Sequence, residues 1–98
     1  MRVRILDRAA GDLDVAARAY ERQSAGLGAY FFATLDAEIR ALQKFVGVHP
    51  LVHGQHCLFS KTFPYAIYYE IERDVVLINA VLGSRLEPAG ILKKVEAR

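Results

Sequence analysis

The feature that most constrains this chain is the run Val75-Val76-Leu77-Ile78-Asn79-Ala80-Val81-Leu82, which is apolar at odd and even positions alike. Side chains of a strand point alternately to opposite faces, so such a strand must be covered above and below. Just upstream, Phe63-Pro64-Tyr65-Ala66-Ile67-Tyr68-Tyr69-Glu70-Ile71 is equally strand-prone but more alternating. Only Glu72-Arg73-Asp74 separates the two runs, which predicts an antiparallel hairpin with a tight polar turn. In the first run Tyr65 and Tyr69 share a face with Ile67 and Ile71, which points to packing. Tyr68 falls on the opposite face with Ala66 and Glu70, where it is a candidate for contact with a partner.

The first half of the chain supplies the cover. Arg2 to Leu6 alternates charged and apolar residues and suits a short strand. Asp7 is expected to N-cap a helix beginning near Arg8, whose apolar stripe is Ala9, Leu13, Ala16, Ala17 and Tyr20. Ser24-Ala25-Gly26-Leu27-Gly28 interrupts that helix and predicts a short reversal. A second helix is expected from Ala29 to Val46, with Phe31, Leu35, Ile39 and Leu42 inward. Two helices joined so closely form a helical hairpin. Asp14 with Arg18 and Asp36 with Arg40 are one-turn ion pairs on the outer faces. Gly47 to Gly54 reads as a loop and His56 to Ser60 as a weak strand. Ala89 to Arg98 reads as a short final helix. The expected fold class is α+β, a mostly antiparallel sheet on an N-terminal helical hairpin in the order β-α-α-β-β-β, as a single domain over residues 1–98.

Composition narrows the function classes. Ninety-eight residues carry 13 basic and 11 acidic side chains, net +2, which does not make the whole molecule a polyanion binder. The single cysteine, Cys57, permits no internal disulfide and fits a reducing, cytoplasmic compartment. No apolar run reaches the roughly 20 residues of a membrane span, and no secretory leader is expected. His49, His53, His56 and Cys57 match no familiar metal-ligand spacing, so neither metal nor cofactor is expected.

Four features in order resemble the RelE/ParE superfamily of type II toxin–antitoxin toxins, the plasmid-stabilisation type. They are a strand leading into a helix that ends Tyr20-Glu21-Arg22-Gln23, then Gly26-Leu27-Gly28 with Phe31 and Phe32. Phe63-Pro64-Tyr65 entering Ile67-Tyr68-Tyr69-Glu70 follows, and last Ser84-Arg85 before Pro88. The resemblance implies a growth-inhibiting toxin neutralised by direct binding of a cognate antitoxin protein. It also implies one of two targets, DNA gyrase in the ParE-like branch or messenger RNA on the ribosome in the RelE-like branch. Metal-free RNA cleavage needs a base, an acid and cations for the phosphorane. Arg85 matches a family basic position, Lys61 matches another loosely, and His56 is the one candidate base. Ala66 stands where the nuclease branch usually carries arginine, so the gyrase-directed branch is preferred. A metal-independent endoribonuclease and a degenerate, non-toxic antitoxin-binding protein are the alternatives.

For the antitoxin, the sequence offers the unspent face of the last strand. It is expected to be covered by the C-terminal segment or by an antitoxin helix. The candidate contact residues are Tyr68, Val76, Ile78 and Leu82, together with Ile91 and Leu92 of the final helix. A homodimer or a toxin–antitoxin hetero-oligomer would follow.

Overall fold

The computed structural model describes residues 1–84. Arg85, Ile91, Leu92 and the expected final helix lie outside them. Among the described residues the chain forms β1 (Arg2–Ile5), α1 (Asp7–Gln23), α2 (Leu27–Arg40), β2 (Leu51–Val52), β3 (Gln55–Phe59), β4 (Tyr65–Glu72) and β5 (Val75–Gly83). The sheet order is β1-β5-β4-β3-β2. β1 pairs parallel to β5, and every other pair is antiparallel. The fold is α+β, two helices on a mostly antiparallel sheet, with the strand that reads apolar on both faces near its middle.

β4 and β5 pair from Glu72↔Val75 to Tyr65↔Gly83, so the turn is only Arg73-Asp74. The pairing slips once. Tyr69 lies opposite Ile78 and Tyr68 opposite Ala80, leaving Asn79 as an extra residue in β5. A bulge of this kind reverses the side-chain alternation beyond it. Val76 and Ile78 before the bulge and Val81 after it therefore face the helices, whereas Ala80 and Leu82 face away. The buried Asn79 amide is satisfied at both ends. Its Nδ2 donates to Gln55 Oε1 at 2.9 Å, and its Oδ1 accepts from Arg8 Nη2 at 3.1 Å. Beyond Ile78 the strand has outrun β1, and Asp12 of α1 closes its edge by accepting the Val81 N–H at 3.0 Å. An edge closed by a side chain is no longer a template for another strand.

The helix-side core joins Leu13, Phe31, Leu35, Ile39, Leu42 and the inward residues of β4 and β5. Tyr20, Phe31, Phe63 and Tyr65 form one aromatic seam, with ring centroids 5.0–6.2 Å apart. Buried aromatic pairs of this geometry contribute about 0.5–1.5 kcal/mol each beyond area burial. Four of the residues quoted for the resemblance, Tyr20, Phe31, Phe63 and Tyr65, make this seam.

Local expectations need three corrections. Asp7 is the first residue of α1 and not its cap; the cap position is Leu6, which offers no side-chain acceptor. α2 begins at Leu27 and ends at Arg40, followed by a 3-10 turn, Ala41–Gln43, instead of running to Val46. The expected loop contains β2, because His53 and Gly54 both take positive φ (52° and 81°) and make a tight hairpin turn into β3. Asp14–Arg18 and Asp36–Arg40 form as expected at 3.0 and 2.9 Å.

The reversal between the helices uses its glycines for different reasons. Gly26 adopts φ 88°, which only glycine enters cheaply. Gly28 permits close approach, since a Cβ there would sit 2.4 Å from the Ala17 carbonyl oxygen and 2.9 Å from Glu21 Cβ. Glu21 locks the corner, accepting the Gly26 N–H at 2.8 Å and the Gly28 N–H at 2.9 Å. These donors hold its carboxyl below the ordinary carboxylate value. Gly28→Ala is expected to destabilise the chain by about 1–3 kcal/mol through overpacking. Gly11→Ala, with nothing within 4 Å on an exposed helix face, should instead stabilise it by about 0.5–1 kcal/mol. Urea unfolding of both variants checks the contrast.

Candidate functional site

On the reverse face of the sheet, where cover by the C-terminal segment or an antitoxin helix is expected, the candidate contact residues Tyr68 and Leu82 are already buried. Cys57, Ala66, Tyr68, Ala80 and Leu82 form a small second core, each 0–5 % exposed, with Val52 packed against it. Burial, then the neighbouring Cys57 thiol, pushes the Tyr68 hydroxyl up to about 12. Burial likewise raises the Cys57 thiol, and its hydrogen bond with Tyr68 offsets part of that rise. Tyr68 and Leu82 are therefore packing residues within the chain. Val76 and Ile78 are fully buried on the other side, beneath the helices. Simple alternation leaves either Val75, Leu77, Asn79 and Val81 or Val76, Ile78, Ala80 and Leu82 as the unspent face, and the Asn79 bulge divides both sets.

The side chains with chemistry converge instead where the end of α2 meets β3. A cavity of about 410 Å³ opens there between Ala37, Glu38, Ala41, Leu42 and Phe45 on one side and His49, Leu58 and Lys61 on the other. Phe45 is 65 % exposed at its mouth. His49 is held in this wall by Tyr69, the fully buried residue of β4 opposite His56. The Tyr69 oxygen accepts the Gly47 N–H at 3.0 Å and lies 2.6 Å from His49 Nδ1. The direction of the His49–Tyr69 bond depends on the imidazole tautomer, since a phenolic oxygen can accept a second hydrogen bond as well as donate one. Burial, then the charge of His56, holds His49 below the ordinary imidazole value. His56 stacks on Tyr69 with centroids 5.0 Å apart, and its Nδ1 lies 2.9 Å from the His49 carbonyl oxygen. A carbonyl only accepts, so His56 Nδ1 carries a proton and donates it.

Of the residues singled out in the sequence, Lys61 lines this cavity and His56 stands behind it. His53 lies in the β2–β3 turn, and Cys57 is on the opposite face of the sheet from His56. Among the described residues no three His, Cys, Asp or Glu side chains could jointly hold a metal ion. The sequence reading missed Glu38, whose Oε2 accepts the Lys61 backbone N–H at 2.9 Å while its Oε1 is buried without a partner. Nothing in the helical pattern of α2 separates Glu38 from an ordinary outward carboxylate.

The His49 contact carries a pH signature. Its folded value lies below the ordinary 6.5, so on acidification the unfolded chain takes up the proton first. The stabilisation is complete above 6.5 and is lost as pH falls from there toward the lower folded value. Thermal melts between pH 8 and 5 (roughly the span in which imidazole titrates) should show a falling Tm for the native chain. His49→Gln should flatten that slope, and an unchanged slope would contradict the assignment.

No protein-family model matches the chain, and no curated protein sequence matches it. Its fold does match solved structures. A chain of the chromosomal ParDE TA system from P. aeruginosa aligns with a TM-score of 0.74 at 18% sequence identity, covering 85% of this chain and 95% of that one. At that identity the likeness establishes the fold: this chain is built like a protein of a toxin–antitoxin system.

Proposed function

We propose that the chain is the toxin subunit of a type II toxin–antitoxin module, that a cognate antitoxin protein neutralises it by direct binding, and that its target is DNA gyrase. The observation that carries this reading is the fold shared with the ParDE chain over nearly all of that chain's length. A second observation favours action by binding over catalysis. The polar groups gathered at the cavity are engaged in holding the structure, with His49 on Tyr69 and Glu38 Oε2 on the Lys61 backbone. The sealed reverse face moves the proposed antitoxin contact elsewhere. Val15, Tyr30 and Phe32 stand exposed on the helical hairpin, at 69 %, 55 % and 48 %, and suit an apolar partner helix. Ile91 and Leu92 remain in the proposed contact.

The alternative is a metal-independent, ribosome-dependent endoribonuclease using Arg85, Lys61 and His56. The observation favouring it is that His56 Nδ1 is tied to the His49 carbonyl, which leaves Nε2 as the ring nitrogen open to substrate. A non-toxic antitoxin-binding protein is the remaining reading.

Purified chain added to gyrase, ATP and relaxed plasmid should abolish supercoiling while messages in a parallel translation reaction stay intact. Undisturbed supercoiling with cleaved messages, lost in Arg85→Ala, would replace the gyrase reading by the nuclease one. Neither effect would leave the non-toxic binder.

A further inference from the structure

β1 is the outermost strand on its side of the sheet, so half of its backbone has no strand to pair with. The Arg2 N–H donates to the Asp74 carbonyl at 3.3 Å, and the Leu6 N–H to the Ile78 carbonyl at 3.1 Å. By strand alternation the Arg4 backbone also points toward β5, while the N–H and C=O of Val3 point away, out of the sheet. Among the described residues no hydrogen bond is made to them.

The side chains of β1 divide just as regularly. Val3 and Ile5 pack against the helix-side core, and Arg2 and Arg4 stand exposed on the reverse face, beside Val75 and Leu77 of β5. A cavity of about 310 Å³ opens along the strand between Arg2, Val3, Arg4 and Val75. Glu72, Arg73 and Asp74 line an adjoining cavity of about 280 Å³, Glu72 from across Val75. Among the described residues no ion pair joins these acids to Arg2 or Arg4. Two unpaired cations at two-residue spacing therefore flank one free backbone donor and acceptor. Arginines on an edge deter a copy of the same strand, since arginine would face arginine, but they favour a strand of opposite charge.

We propose that the free edge of β1 is a docking site for an extended acidic segment of a partner polypeptide, which adds antiparallel to the sheet and sets carboxylates against Arg2 and Arg4. In that register the residue opposite Val3 exchanges both backbone hydrogen bonds with it. The carboxylates fall in the flanking, non-hydrogen-bonded positions, where cross-strand side chains come closest. The residue between them turns to the helix side beside Val3, so the pattern recognised is acid, apolar, acid. A nucleic acid suits the site less well, because it has no alternating backbone donor and acceptor for Val3, and Glu72 and Asp74 oppose a run of phosphates. The site is defined without reference to the toxin reading, and its test involves neither gyrase nor antitoxin.

The test is an NMR titration of the isotopically labelled full chain with the capped peptide Ser-Thr-Glu-Val-Glu-Thr-Ser, and with versions carrying glutamine or lysine in place of both glutamates. The acidic peptide should give saturable shifts centred on β1 and slow hydrogen exchange of the Val3 amide. The glutamine version keeps the backbone bonds but loses two opposite-charge pairs, so it should bind about fivefold more weakly. The lysine version should give no saturable shift. In the double variant Arg2→Gln with Arg4→Gln, both exposed positions, the acidic and glutamine peptides should bind alike. N-methylation of the central valine leaves both carboxylates in place and should abolish binding. No saturable shift with the acidic peptide would overturn the proposal, the result expected if the arginines only guard the edge. Binding that survives N-methylation, or equal shifts from a single-stranded oligothymidylate, would also overturn it by showing a site for charge alone.

Discussion

One extra residue in one strand sets the plan of this molecule. β5 is apolar along its whole length and lies near the middle of the sheet, so it must feed two cores at once. Asn79 does this by interrupting the alternation, sending Val76, Ile78 and Val81 toward the helices and Ala80 and Leu82 to the other side. A buried amide inside an apolar strand is tolerable only if both of its ends are paired. Gln55 and Arg8 pair them, which ties the bulge to β3 and to the start of α1. Asp12 completes the arrangement by closing the edge that β1 leaves uncovered. The helical hairpin, the parallel edge strand and the small second core all meet at β5.

That geometry redistributes where a partner can bind. With Tyr68 and Leu82 sealed into the second core, the reverse of the sheet has no unspent apolar surface at those positions. Exposed apolar residues among the described ones include Val15, Tyr30 and Phe32 on the hairpin and Phe45, Val48, Leu51 and Phe59 around β2 and β3.

Much of the architecture was legible in the sequence because it rests on periodicity. The α1 stripe from Ala9 to Tyr20, the inward face of α2 and the β4–β5 hairpin all appear where their spacing places them. The reversal was legible through Gly26 and Gly28, although the close approach behind Gly28 shows only in three dimensions. What escaped was what non-local contacts decide. A bulge leaves no mark on a uniformly apolar run, so the partition of Val76, Ile78, Ala80 and Leu82 could not be read. β2 is two residues long and exists because His53 and Gly54 turn it onto β3. Glu38, His49 and Tyr69 are far apart in sequence and look ordinary one at a time. Lys61 and His56 were singled out for catalysis, and the structure puts them near a cavity where His49 is held against Tyr69 and one Glu38 oxygen is held by the Lys61 backbone.

The proposed function makes this chain a growth inhibitor that a partner protein neutralises. The direct measurement is the growth of a bacterial host expressing this chain alone and together with the gene beside its own. Arrest by the chain alone, relieved when the neighbouring product is made and co-purifies with it, is the predicted result. Undiminished growth with the folded chain present in quantity would contradict it.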